Sequence, residues 1–291
     1  MSHAISVAHG EFGRAALYAL DRTIVTHAHR EGHLIFHVDG NPASMTVGDE
    51  TFLNDAKNIV AVSPWEPHSF HSAPDGQSLN LVLYIKPMWF LENSNSAEFA
   101  LRFGRPKIPM TPAINQIVAR LTTLLLEDDG TVQFDGILYS LTRECFERSW
   151  QRSGACALTG ASSRFNDYRV RKSLRLMQDH LTEEFEMEDL ARSVGLSRPH
   201  FFKLFKQQMG VTPNIYMNTL RSEQAIEDLL TTEKSVTDIA LDLGFSSQAS
   251  FTRFFSSNVG IAPSEYRRVS HEADDGFPML GQQARLSGMP G

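Results

Sequence analysis

Five histidines, His27, His29, His33, His37 and His68, crowd the first quarter of the chain. Four of them fall in two short motifs. His27-Ala28-His29-Arg30-Glu31-Gly32-His33 is followed by Gly40, and Ser63-Pro64-Trp65-Glu66-Pro67-His68 ends in the other. Residues two apart on a strand project to one face, so His27 and His29 can reach the same ion or ligand. Neutral imidazoles suit zinc, iron, nickel or copper, and here the ligand set would be His27, His29, His33 and His68. The same rings can instead hydrogen-bond an organic effector. That pocket would use His27, His29, His33, His37 and His68, with Trp65 and Tyr84 giving apolar contact.

The elements that must carry these residues read as β-structure. Strands are expected at 16–20, 23–29, 33–38, 44–47, 59–62 and 79–86, with turn residues at 39–42, 48–49 and 74–76 between them. Leu79, Leu81, Leu83 and Ile85 alternate with Asn80, Val82, Tyr84 and Lys86, a period of two. Short strands at this spacing predict an all-β barrel. The two histidine motifs resemble those of cupins, with His33 in the place of a carboxylate and Ser63 in the place of a proline. The resemblance implies a cupin-like sensor barrel. Sensors of this kind mostly bind organic effectors without a metal, so no cofactor is expected, a divalent ion being the alternative.

At 112–152 the period changes. Ile114, Ile117, Val118, Leu121, Leu124 and Leu125 form one stripe, and Phe134, Ile137, Leu138, Leu141, Cys145 and Phe146 form another. These are two amphipathic helices joined at Asp128-Asp129-Gly130, and their stripes are read as a dimer seam. The small residues at 153–163 read as a linker, and 269–291 as a disordered tail. The expected domains are 1–155 and 164–268.

Composition limits the function classes. The 291 residues suggest about two domains. No apolar run approaches the roughly 18 residues of a membrane span. Met1-Ser2-His3-Ala4 opens no secretion signal, and Cys145 and Cys156 have no metal or redox spacing, so a cytoplasmic protein is expected. The net charge is −7, yet residues 1–163 hold 12 Lys/Arg against 17 Asp/Glu while 164–268 hold 14 of each. Arg198, Lys203 and Lys206 cluster without an acid at 197–207, a basic edge able to meet a phosphate backbone.

An internal repeat identifies that segment. Asp189-Leu190-Ala191 through Gly195-Leu196-Ser197 matches Asp238-Ile239-Ala240 through Gly244-Phe245-Ser246. The match resumes one residue out of step, pairing Phe201 with Phe251, Phe205 with Phe255, Gly210 with Gly260, Pro213 with Pro263 and Tyr216 with Tyr266. Each copy reads as helix-turn-helix: a small Ala at the helix contact, a Gly ending the first helix, and Ser197 or Ser246 capping the second. A helix over 214–230 joins the copies.

Residues 167–268, above all Gly244-Phe245-Ser246 and Gly260-Ile261-Ala262-Pro263-Ser264-Glu265-Tyr266-Arg267, resemble the AraC/XylS family of transcriptional regulators. The resemblance implies two DNA-reading units and no enzyme. It carries base-reading positions onto Pro199, Phe202 and Lys203 in the first unit and onto Gln248, Ala249 and Arg253 in the second, with Ser247 beside them. Arg253 could fork onto guanine and Gln248 pair with adenine. Phe202 could touch a thymine methyl or merely cover its helix flank. Arg198 and Lys206 are assigned to phosphates. The implied partners are promoter duplex DNA, a small-molecule effector, a second copy of the chain and, for an activator, RNA polymerase. A metal-dependent cupin enzyme fused to a DNA-binding domain is the competing reading.

Overall fold

The computed structural model describes residues 2–72, 76–92, 101–127, 131–151, 167–181 and 186–274. The expected linker at 153–163, the Asp128-Asp129-Gly130 joint, and the tail from 275 lie outside the described residues, as do Cys156 and the Pro74-Asp75 part of the turn expected at 74–76. In chain order the elements are β1 (His3–Gly10), β2 (Gly13–Leu20), β3 (Ile24–His27), β4 (Gly32–Gly40), β5 (Ala43–Val47), β6 (Glu50–Asn54), β7 (Asn58–Val62), β8 (His68–His71), β9 (Ser78–Ile85), α1 (Pro87–Glu92), β10 (Lys107–Pro109), α2 (Pro112–Glu127) and α3 (Thr131–Trp150). The helical half then follows as α4 (Tyr168–Asp179), α5 (Met187–Ser193), α6 (Arg198–Met209), α7 (Pro213–Thr231), α8 (Val236–Asp242), α9 (Gln248–Val259) and α10 (Pro263–Asp274).

The strands form two sheets rather than one closed barrel. The larger has the order β1-β2-β9-β4-β7-β10 and the smaller β3-β8-β5-β6. Side-chain alternation explains why the larger sheet is covered on both faces. Leu17, Leu34, Phe36, Ile59, Leu81, Leu83 and Ile85 belong to one core, shared with α2 and α3. Their neighbours Ala16, Tyr18, Ile35, Val60, Val82 and Tyr84 belong to another, shared with the smaller sheet and with α7 to α10. The period of two read over 79–86 is therefore a division between two cores, not between a core and water.

The helical stripes at 112–150 also change meaning. Ile114, Val118, Leu121, Leu125, Phe134, Leu138, Leu141 and Cys145 are buried against the chain's own large sheet. Such residues cannot also face a second copy, so Leu121 is a core residue and a dimer would need another surface. The helices keep the period of an interface because packing on a sheet demands the same stripe.

In the last element, α10 runs six residues past the expected domain end at 268. Val269 and Ser270 on it are buried. Among the described residues, no helix is long and apolar enough to cross a membrane.

Candidate nucleic-acid interface and buried histidine cluster

Each repeat folds as two helices around a tight turn. Ala191 and Ala240 are buried where α5 meets α6 and α8 meets α9. Gly195 and Gly244 take φ of +72° and +77°, a region that costs other L-residues roughly 1–2 kcal/mol. Ser235 and Asp238 form a reciprocal capping box at the start of α8, as their spacing predicts.

The caps of α6 and α9 differ from the sequence reading. The second is capped by Ser247, not Ser246; its hydroxyl accepts from the Ser250 amide at 3.2 Å. The inserted residue of the second copy thus lengthens the turn, and Ser197 and Ser247 become the equivalent caps. Ser197 makes no such side-chain bond, and its hydroxyl meets His200 Nδ1 at 3.2 Å.

Phe201 and Phe205 of α6, and Phe251 and Phe255 of α9, are buried. The opposite faces leave Arg198, Pro199, Lys203 and Lys206 exposed on α6, and Ser247, Gln248, Ala249 and Arg253 exposed at and along α9. Lys203 and Arg253 occupy equivalent positions in the two copies. Phe202 is half-buried against the first unit's core, with the Arg198 guanidinium 5.4 Å from its ring centre. Gln248 Oε1 accepts from the Thr237 hydroxyl at 2.9 Å, which ties the start of α9 to α8. α7 spans about 28 Å at 1.5 Å per residue.

The histidines come together between the two sheets. His27 and His68 are cross-strand partners on β3 and β8, while His33 lies on β4. Ring centres are 4.3 Å apart for His27 and His68, 4.4 Å for His29 and His33, and 4.8 Å for His27 and His29. His29, His33 and His68 are buried, and His27 is half-buried. Burial holds His29, His33 and His68 well below the ordinary histidine range, with neighbouring imidazoles pushing the same way. Burial lowers His27 to about 4. All four are neutral at pH 7.

Tyr84 packs edge-on to His29 and His33. His37 does not join; its Nδ1 faces the Ser78 hydroxyl at 3.3 Å. Trp65 does not join either. It stacks on Tyr216 of α7 with ring centres 4.8 Å apart, joining the two halves.

That joint belongs to a larger seam that the sequence reading missed. Arg14 on β2 is buried, donates from Nη1 to the Tyr266 hydroxyl on α10 at 2.8 Å, and lies 3.7 Å from the Tyr84 ring centre. The Thr219 hydroxyl on α7 donates to the Ala28 carbonyl at 2.8 Å. Arg30 pairs with Glu223 at 2.8 Å. One signal was available: Arg14 is the lone charge in an otherwise apolar strand, and a base in such a place needs a buried partner.

Residues 190–269 match the family described as a helix-turn-helix domain. An uncharacterised helix-turn-helix-type transcriptional regulator of Staphylococcus aureus is 38% identical over 102 residues, which are 35% of this chain and 14% of that protein. The regulatory protein PocR of Salmonella typhimurium is 35% identical over 107 residues, 37% of this chain and 35% of PocR. The chain thus spans well under two thirds of these relatives. Across the whole fold it is similar to a single-site variant of apo ToxT from Vibrio cholerae, with a TM-score of 0.58 at 16% identity, covering 90% of this chain and 98% of ToxT. Wild-type ToxT with a bound unsaturated fatty acid gives a TM-score of 0.55 at 17% identity, covering 94% and 96%. The Staphylococcus aureus relative is a helix-turn-helix-type transcriptional regulator, PocR is a regulatory protein, and the helical half of this chain contains a helix-turn-helix domain.

Proposed function

We propose that the chain is a sequence-specific transcriptional regulator in which a small molecule, bound in the β-sheet half, changes how the two helix-turn-helix units meet promoter DNA. The observation that carries this reading is the matched pair of recognition helices. Each buries two phenylalanines and exposes a cation at the equivalent position, Lys203 on α6 and Arg253 on α9. Arg253 reads a base edge, with guanine as its best partner. Lys203, a point charge without a planar fork, discriminates less. Arg198 and Lys206 hold phosphates.

The effector is proposed to occupy the seam between the halves. A cavity of about 620 Å³ lies there, with Phe12, Arg14, Arg30, Phe134, Glu223 and Ile226 among its walls. That volume is in the usual range for small-molecule sites, and both halves line it. The space at the histidine cluster is only about 40 Å³. It is too small for the organic effector expected there. ToxT with its bound fatty acid supports ligand binding in a molecule of this fold.

The test is footprinting of the full-length chain on the promoter beside its gene, at several salt concentrations. Two major-groove contacts about one helical turn apart are expected. Arg253→Ala should cost roughly 1–3 kcal/mol and relax specificity at one base pair. Lys206→Ala should weaken all sequences alike and reduce the salt slope by about one. One short contact patch, or binding indifferent to salt, would refute the two-unit reading.

A further inference from the structure

The histidine cluster has the geometry of a binding site and too little room for an organic molecule. His27 Nδ1 lies 2.7 Å from the Val25 carbonyl, and His68 Nδ1 lies 3.0 Å from the Glu66 carbonyl. A carbonyl only accepts, so each ring carries its proton on Nδ1 and keeps a bare lone pair on Nε2. Backbone carbonyls hold metal-binding imidazoles in this way in many proteins. His29 Nε2 and His33 Nε2 are buried without a hydrogen-bond partner, a costly state for polar atoms unless something else meets them. One ligand atom from each of His27, His29 and His68 lies within 4.8 Å of the others. The adjoining cavity of about 40 Å³ is lined by no carboxylate and no lysine among the described residues.

We propose that His27, His29 and His68, with His33 as a fourth ligand, hold one divalent transition-metal ion of the zinc class. Three or four neutral imidazoles suit such an ion, with nitrogen at about 2.0–2.1 Å in a tetrahedral arrangement. The ion clamps β3 and β8 of the smaller sheet to β4 of the larger one.

The clamp has a consequence for the helical half. Ile24 on β3 lies directly beneath Gly260, at the end of α9. The Ala28 carbonyl, between His27 and His29, accepts from Thr219 on α7. An ion at the cluster therefore stiffens the strand on which the second DNA-reading unit sits.

The experiment uses the full-length chain without a histidine tag, stripped by chelator and titrated with Co(II), then with Zn(II). One equivalent of Co(II) is expected, with the strong visible absorption of a four-coordinate nitrogen site, bleached by Zn(II). His29→Gln and His68→Gln, which keep side-chain volume and polarity, should each abolish that absorption while circular dichroism stays native. His37→Ala, outside the cluster, should keep it. Hydrogen exchange at 24–29 should slow on loading. Less than about a tenth of an equivalent in the folded chain, or unchanged binding in His29→Gln and His68→Gln, overturns the site. DNA binding is measured on the same samples. Absence of a metal signal in the unsubstituted chain, with DNA binding intact, overturns this inference alone and leaves the two-unit reading in place.

Discussion

The two helix-turn-helix units are copies in sequence but not in their surroundings. The first closes a core of its own, with Phe201, Phe205, Val211 and Tyr216, to which the β-sheet half contributes little more than Ala28 and Trp65. The second has no separate core. Phe251, Phe255, Ile261 and Tyr266 share one with Tyr18, Ile35, Val82 and Tyr84 of the sheets. The repeated tyrosines show the contrast in one pair of residues. Tyr216 stacks on Trp65, whereas Tyr266 takes a charged hydrogen bond from buried Arg14. The second unit thus shares its core with the sheets, while the first keeps a core largely of its own.

The largest expected effect tests the division of cores. Phe205→Ala and Phe255→Ala should each cost about 3–5 kcal/mol, since both side chains are fully buried. Calorimetry should separate them. Phe205→Ala should create an early transition for the first unit alone, while Phe255→Ala should lower the main transition that includes the sheets. Identical traces would dissolve the comparison.

Next comes the buried cation. Arg14→Met keeps the bulk over the Tyr84 ring but removes the donor to Tyr266, which should cost about 1.5–3 kcal/mol in urea unfolding. Tyr216→Phe should cost less, since its hydroxyl only meets Gln178 at 3.4 Å.

A smaller effect separates two glycines. Gly210 and Gly260 end α6 and α9 at φ of +80° and +95°, so alanine at either brings strain of roughly 1–2 kcal/mol. A methyl on Gly260 would also fall 2.9 Å from Ile24 of the sheet half, whereas at Gly210 the nearest atom is the Trp65 carbonyl oxygen at 4.0 Å. Gly260→Ala should therefore be the more destabilising and should loosen the second unit from β3. Equal penalties would mean that Ile24 moves aside freely.

The smallest effect is a pH dependence at the seam. Burial raises Glu223 from 4.5 to about 7, against the pull of Arg30. The docked form then holds a proton that the open form lacks between those values. Docking should be strongest below about pH 4.5 and weaken as pH rises through about 7. The effect is limited because the Arg30 side chain is 51% exposed and screened by water. Glu223→Gln should flatten this part of the melting profile; an unchanged profile would assign the dependence elsewhere.

Much of the helical half was legible because its signals are local. A Gly that must take positive φ, an Ala at a close helix contact and a phenylalanine every turn are dictated within a few residues, and the repeat tests each against its copy. The placement of the cap on α9 was missed by one residue because Ser246 and Ser247 are chemically equal; only the turn's path chooses between them. Strands β1, β6, β8 and β10 were missed because a short or polar segment becomes a strand by pairing with a neighbour, such as Gly13–Leu20 for β1.

By itself the sequence determined that strands fill the first half and helices the second, and that the second holds a duplicated helix-turn-helix unit. Strand alternation did not bring His27 and His29 together, since β3 ends at His27 and His29 lies beyond it. Tertiary structure alone decided what the apolar stripes of α2 and α3 cover, because a stripe fitted to a sheet and one fitted to a second copy have the same period. It alone placed His37 and Trp65 away from the histidine cluster and joined Arg14 to Tyr266, 252 positions apart. Such pairings depend on how two independently legible surfaces dock, and no local spacing encodes that.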